Sequence, residues 1–120
     1  MTYVDGFVAA VPNANKEEFI GHARAAAAIF KDYGALKQVE CWGDNVPDGE
    51  LTSFPMAVKK EPDETVVFSW VIWPSKEARE EGWAKMVEDE RMKPENMPMP
   101  FDGKRIIYGG FEMILEEDLN

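Results

Sequence analysis

The sequence predicts an α+β domain with a ferredoxin-like βαββαβ arrangement. Four apolar runs of strand length and two amphipathic helical segments follow one another in the order strand, helix, strand, strand, helix, strand. A chain of 120 residues is long enough for one domain with one hydrophobic core. In this split βαβ unit, four antiparallel strands lie in the spatial order 4-1-3-2, with both helices on one face of the sheet. We therefore expect a single domain over residues 1–120.

The first strand and helix have clear boundaries. Residues 3–11 form a short apolar run that ends at Pro12 and Asn13, which favours a buried strand. Asn15 and Glu18 have the spacing of a capping box, so a helix is predicted to begin there. Apolar residues then recur at helical spacing until Gly34, a natural left-handed stop.

Two more strands are predicted in the middle of the chain. Residues 36–44 alternate in polarity, which is typical of a strand with two different faces. Residues 45–64 contain several prolines and an Asp-Gly turn, so they form a long excursion with one short element around 51–59. Residues 65–73, TVVFSWVIW, are the third strand and are apolar on both faces.

The last third of the chain supplies the second helix and the fourth strand. Ser75 is predicted to cap a helix over 76–90, with Trp83 as its main anchor and Gly82 as a weak point. A connection rich in proline and methionine follows over 91–103, and 105–115 is the fourth strand. An acidic, solvated tail occupies 116–120.

Charge and cysteine content exclude several functional classes. With 13 Lys and Arg against 23 Asp and Glu, the net charge is −10, which opposes binding to nucleic acid or to an anionic membrane surface. Cys41 is the single cysteine, so we expect no intramolecular disulfide and a reducing, cytoplasmic location. No apolar stretch is long enough to cross a membrane, and no secretory signal is recognisable.

The second face of the sheet is expected to be a dimer interface. The first, third and fourth strands are apolar on this face as well, and a chain of this length has nothing left to cover it. A second subunit is the simplest cover, so we predict a homodimer that packs sheet against sheet. The residues expected to drive dimerisation are Phe7, Phe68, Ile72, Ile107 and Phe111.

Strand parity divides the strand side chains into two sets. One set is small and is predicted to lie under the helices: Val4, Gly6, Val8, Ala10, Val39, Cys41, Val67, Ser69 and Val71. The opposite set contains most of the aromatic and charged strand residues and is predicted to share the other face: Tyr3, Asp5, Phe7, Ala9, Gln38, Glu40, Trp42, Asp44, Phe68, Trp70, Ile72, Arg105, Ile107 and Phe111.

The aromatic and charged set is the candidate site. Asp5 and Glu40 are the candidate catalytic carboxylates, since a carboxylate beside tryptophan can have a raised pKa and act as a general base. The candidate ligand-binding residues are Trp42, Trp70, Arg105, Tyr3 and Phe7. The structural alternative is that Asp5, Glu40 and Arg105 only pair with one another across the dimer interface.

The remaining chemically active residues point to no metal or cofactor. His22 is interpreted as a solvent-facing or core-filling residue, and Cys41 as a small buried hydrophobe. Met97, Met99 and Phe101 could form an adaptable lid over a pocket or plug the end of the core. The sequence contains no nucleotide-binding or metal-binding motif, so we expect no cofactor and no metal.

Several segments carry a family resemblance, namely YVDGFV at 3–8, GALKQVECWGDNVPDG at 34–49, VVFSWVIWPSKEAR at 66–79 and MPFDGKRIIYGGFE at 99–112. Together they resemble the bacterial domain-of-unknown-function family 1428, the YbaA-like proteins. The resemblance implies a dimeric α/β barrel, in which ferredoxin-like units pair their sheets, similar in architecture to small monooxygenases and isomerases. It implies no catalytic residues.

Two functional hypotheses follow. In the first, the dimer binds a small aromatic or planar organic molecule and acts as a cofactor-free oxygenase or isomerase, with Asp5 or Glu40 as the general base. In the second, the protein is a non-catalytic homodimeric interaction or stress-associated protein, whose charged strand residues only fix the register. An association with RNA is disfavoured by the net charge.

Overall fold

The computed structural model describes residues 2–120, which form a four-stranded antiparallel sheet with two longer helices on one face. The strands, in the order β2-β3-β1-β4 across the sheet, are β1 (Tyr3–Pro12), β2 (Lys37–Trp42), β3 (Glu64–Trp73) and β4 (Ile107–Glu112). The helices are α1 (Lys16–Asp32), α2 (Phe54–Ala57) and α3 (Lys76–Met86), with single 3-10 turns at Asn13–Asn15 and Glu90–Met92. The predicted ferredoxin-like α+β fold and the 4-1-3-2 strand order are confirmed.

Local signals placed most boundaries within a few residues. Ser75 caps α3, because its hydroxyl oxygen accepts from the Ala78 backbone N–H at 3.0 Å, and Gly34 ends α1 with a positive φ of 102°. Two predictions are wrong. Asn15 makes no side-chain cap and instead donates to the Pro100 carbonyl, and the second long helix ends at Met86 rather than near residue 90.

The main core lies between the sheet and the two long helices. Phe30 of α1 and Met86 of α3 pack against Trp73 and Val71 of β3, and Phe19 and Ala23 of α1 pack against Ala9 and Val11 of β1. Trp73 and Met86 are fully buried. This core fixes which face of each strand lies under the helices.

The predicted assignment of strand faces is wrong for β1 and β2 and correct for β3. Tyr3, Asp5 and Phe7 of β1 and the side chains of Gln38, Glu40 and Trp42 of β2 lie on the helix side. The small residues of β1 lie on the outer face, where they leave space for the side chains of Phe111 and Val58. The Phe111 ring lies over Gly6 and Gly109, and Val58 packs on Val8 and Ala10.

The predicted excursion, residues 45–64, covers one end of the outer face. Its short element is α2, which is capped by Ser53, and Val58 just after α2 is 1% exposed against Val66. Phe54 stacks edge-on against Phe68, with ring centroids 5.8 Å apart. The rest of the outer face is uncovered: Phe68, Ile107 and Phe111 are 45%, 44% and 59% exposed.

Cys41 also lies on the outer face, since its register partner is Phe68 of β3, and it is exposed. The prediction that this cysteine is a buried residue under the helices is therefore wrong. Among residues 2–120, no helix is long and apolar enough to cross a membrane.

Candidate functional site

A cavity of about 210 Å³ lies between the helix side of the sheet and α1. Its walls are almost entirely apolar, and its polar groups come from four residues, His22, Gln38, Glu40 and Ser69. Apolar cavities with a few convergent polar groups are typical of small-molecule sites. Other lining residues include Phe7, Phe19, Ala26, Phe30, Trp83, Met97, Met99 and Phe101.

Glu40 provides the carboxylate at the rim of this cavity. Gln38, two residues earlier on the same face of β2, donates from Nε2 to Glu40 Oε2 at 2.9 Å. Glu40 is exposed as a whole residue, but partial desolvation of its carboxyl beside the cavity raises the pKa above its ordinary value, and hydrogen bonds from Gln38 and Ser69 oppose this rise. A carboxylate with a raised pKa at a cavity mouth can accept a proton from a bound molecule.

Gln38 and His22 form the polar floor and side of the cavity. Besides its bond to Glu40, Gln38 Nε2 donates to the Ala23 carbonyl of α1 at 3.1 Å. His22 is half-buried on α1, and burial lowers its pKa, against a smaller opposing effect of the backbone at Pro98. Within residues 2–120, the buried atoms His22 Nδ1 and Gln38 Oε1 have no hydrogen-bond partner.

The roof of the cavity is the proline- and methionine-rich connection between α3 and β4. Met97, Met99 and Phe101 all line the cavity, and Phe101 packs against Phe19 and His22 at centroid distances of 5.9 and 6.1 Å. Asn15 Nδ2 holds this segment to the start of α1 through the Pro100 carbonyl at 2.9 Å. The three residues therefore line the cavity, and Met97 and Phe101 also pack against the core, so the lid and core-plug interpretations both stay open.

Asp5 lies outside the cavity in a closed polar cluster. Its side chain is 3% exposed and accepts from Trp73 Nε1 and Trp83 Nε1, each at 2.9 Å. Arg79 of α3 donates to the same carboxylate from Nε at 3.1 Å and Nη2 at 2.8 Å. Both carboxylate oxygens are thus engaged, and the cluster ties β1 to α3.

Arg105 also lies in a closed ion pair, just before β4 rather than within it. Its guanidinium contacts both carboxylate oxygens of the buried Glu64 at 2.7 Å, and its Nε donates to Asp102 at 3.0 Å. The hydrogen bonds from Arg105 lower the pKa of Glu64, and the pKa of Arg105 is raised in turn. This two-point pair fixes the entry into β4.

The prediction that the candidate site residues share one face is wrong. Of the seven, Glu40 and Phe7 line the cavity. Tyr3 packs into the helix-side core beside Arg79. Trp42 lies below Lys16, whose Nζ is 5.2 Å from the centroid of the indole ring. Trp70 packs against Phe68 on the outer face. Phe7, predicted as a dimer residue too, is on the helix side.

Sequence reasoning missed His22, Gln38 and Ser69 as site residues. Gln38 has the same parity as Glu40 and Ser69 is the register partner of Glu40, so a correct choice of the helix-facing side would have brought these two beside Glu40. His22 gave a weaker signal, its place at the flank of the apolar stripe of α1.

Comparison with known proteins begins with a family model. Residues 2–103 match the model described as "Protein of unknown function (DUF1428)". The chain belongs to the DUF1428 family. The match contains His22, Gln38, Glu40, Ser69 and the roof of the cavity, whereas β4 lies beyond it.

Relatives of this DUF1428 chain are similar over their whole length. It is 56% identical over 117 residues to the uncharacterized protein YbaA of Escherichia coli K12, covering 98% of this chain and 100% of YbaA. The YbaA protein of Shigella flexneri matches to the same extent. The resemblance to the YbaA-like proteins is therefore confirmed.

A solved structure is similar in fold. It is the crystal structure of a dimeric ferredoxin-like protein from an uncultured marine organism, with a TM-score of 0.64 and 12% sequence identity. The match covers 97% of the DUF1428 chain and 98% of the other. At this identity the similarity supports the ferredoxin-like fold.

Proposed function

We propose that this DUF1428 protein binds a small, largely apolar organic molecule in the cavity between the sheet and α1. The observation that carries the proposal is an apolar cavity of about 210 Å³ into which a few polar groups converge. An engineered apolar cavity of about 150 Å³ is large enough to bind benzene, so this one has room for an aromatic ring. Its aromatic and methionine walls suit a planar molecule.

The residue best placed for chemistry is Glu40. Its raised pKa and its position at the rim support a role as a general base that removes a proton from the bound molecule. Proton transfer of this kind, as in an isomerisation, needs no cofactor. We assign Asp5 and Arg105 no chemical role, because Asp5 pairs with Arg79 and Arg105 pairs with Glu64. Within residues 2–120, neither residue pairs with the other or with Glu40, which is the pairing that the structural alternative expected.

We also propose that the protein is a homodimer in which two sheets meet face to face and form a dimeric α/β barrel. The support is the uncovered apolar outer face around Phe68, Trp70 and Phe111, and a neighbour in fold that is described as dimeric. The small-molecule cavity lies on the opposite side of the sheet, so each protomer would hold its own.

The dimer is tested by placing a charge on the outer face. We expect Phe111→Asp to convert the dimer to a monomer in sedimentation equilibrium, because burying an unpaired carboxylate in an apolar interface is strongly unfavourable. Tyr108→Asp is the matched control, since Tyr108 is on the same strand but on its other face and is 74% exposed. A parent protein that is monomeric at micromolar concentration would refute the proposed dimer.

The cavity is tested by filling it. Toluene, indole and p-cresol at millimolar concentration should raise the melting temperature of the parent, since a ligand that binds only the folded state stabilises it. Ala26→Leu adds three carbon atoms inside the cavity and should weaken binding of these probes by about tenfold or more. Ala28→Leu makes the same change on the exposed side of α1 and should leave binding unchanged.

Equal binding by Ala26→Leu and Ala28→Leu would place the ligand elsewhere. If none of the three probes stabilises the parent or shifts backbone amide resonances of the cavity lining, the proposed function is wrong.

A further inference from the structure

Two residues that line the cavity, His22 and Gln38, each have a buried atom without a hydrogen-bond partner within residues 2–120. In His22 this atom is Nδ1. Burial lowers the pKa of His22 and so favours the neutral imidazole, which has one donor nitrogen and one acceptor nitrogen. In the tautomer with the proton on Nε2, Nδ1 has a free lone pair and is a hydrogen-bond acceptor.

The orientation of the Gln38 amide follows from its hydrogen-bond partners. Its Nε2 faces two acceptors, the Ala23 carbonyl at 3.1 Å and Glu40 Oε2 at 2.9 Å. Exchanging the nitrogen and oxygen of the amide would set an oxygen against both of these acceptors. The unpaired atom is therefore the carbonyl oxygen Oε1, a second acceptor.

The polar side of the cavity thus has two buried acceptor atoms, His22 Nδ1 and Gln38 Oε1, that no donor of the protein satisfies within residues 2–120. A buried acceptor without a partner is costly, so a molecule that supplies a donor gains more than its apolar contacts alone provide. We propose, building on the small-molecule site above, that the ligand is an uncharged aromatic molecule with a hydroxyl donor, a phenol, and that His22 Nδ1 or Gln38 Oε1 accepts from it.

The same arrangement selects against anions. An aromatic carboxylate would bring its own negative charge and acceptor oxygens toward Glu40 Oε2 and the two unpaired acceptors, with no cationic side chain among the residues that line the cavity. An aryl ether keeps the oxygen of a phenol but has no proton to donate. These two classes serve as matched probes for the hydroxyl group.

The test compares four compounds that share a methyl-substituted ring: p-cresol, 4-methylanisole, toluene and 4-methylbenzoate. Dissociation constants are measured by backbone amide titration in NMR at pH 8. We expect p-cresol to bind about fivefold or more tightly than 4-methylanisole and toluene, because only the phenol satisfies a buried acceptor. 4-Methylbenzoate should bind most weakly.

Two variants locate the acceptors. His22→Phe and Gln38→Met keep similar size and remove one acceptor each, so at least one of them should bring the ratio of p-cresol to 4-methylanisole affinity close to one while toluene still binds. Equal binding of p-cresol and 4-methylanisole by the parent, or an unchanged ratio in both variants, would overturn the inference while leaving the small-molecule site intact. Absence of binding by all four compounds would overturn both.

Discussion

Asp5→Asn should lower the free energy of unfolding by about 3–5 kcal/mol, the range found when one partner of a buried ion pair is removed. Among the described residues, four N–H groups converge on the Asp5 carboxylate, from Trp73, Trp83 and twice from Arg79. Asparagine keeps the size of aspartate but replaces one acceptor oxygen with a donor, so some of these groups lose their partner. Denaturation by urea at a fixed protein concentration measures the change.

The control for Asp5→Asn is the same substitution in an exposed ion pair. Asp32 pairs with Arg91 at 2.9 Å, but the two side chains are 55% and 47% exposed. We expect Asp32→Asn to change stability by about 1 kcal/mol or less, because water replaces the lost contact. An Asp5→Asn protein as stable as the Asp32→Asn protein would show that the Asp5 cluster does not hold α3 to the sheet.

Gly82→Ala should destabilise the protein by about 2 kcal/mol even though alanine is the better helix former. A Cβ atom at Gly82 would lie 2.6 and 2.7 Å from ring atoms of Trp73 and 2.9 Å from the Tyr33 carbonyl oxygen. Trp73 is fully buried and donates a hydrogen bond to Asp5, so moving its ring aside would disrupt the core and lose this hydrogen bond. The glycine that weakens α3 in isolation lets α3 approach the sheet.

Gly21→Ala on α1 is the control that measures helix propensity without a packing effect. No atom lies within 4 Å of the position of its Cβ, and Gly21 is exposed. We expect this variant to gain about 0.5–1 kcal/mol, the propensity difference alone. Both unfolding free energies come from urea denaturation with unchanged m-values. Stabilisation by Gly82→Ala would contradict the close contact between α3 and Trp73.

The sequence was sufficient for the elements because their signals are local. Pro12 and Pro74 mark the ends of β1 and β3, and Gly34 ends α1 in the left-handed conformation that glycine tolerates. The order of these elements then leaves few topologies with antiparallel neighbours. The strand order could therefore be predicted before any contact was known.

The site could not be predicted to the same degree. Strand parity divides the side chains of a strand into two sets, but it does not tell which set lies under the helices. The small residues of β1 are predicted on the helix side, whereas the structure packs Phe7 there against the cluster that includes Ala26 of α1. Asp5 lies on the same side because its partners are on α3 and β3. The partners of Asp5 and Arg105 are Arg79 and Glu64, 74 and 41 residues away in sequence, and no local pattern predicts such pairs.

The roof over the cavity belongs to neither the sheet nor the long helices. Met97, Met99 and Phe101 lie in the connection between Met92 and Ile107, outside the strand pairing of the sheet. We therefore expect the roof to tolerate change in evolution better than the floor formed by β2 and β3. Family members could then differ in the size of molecule they accept while keeping Gln38 and Glu40, so that one scaffold serves several related compounds.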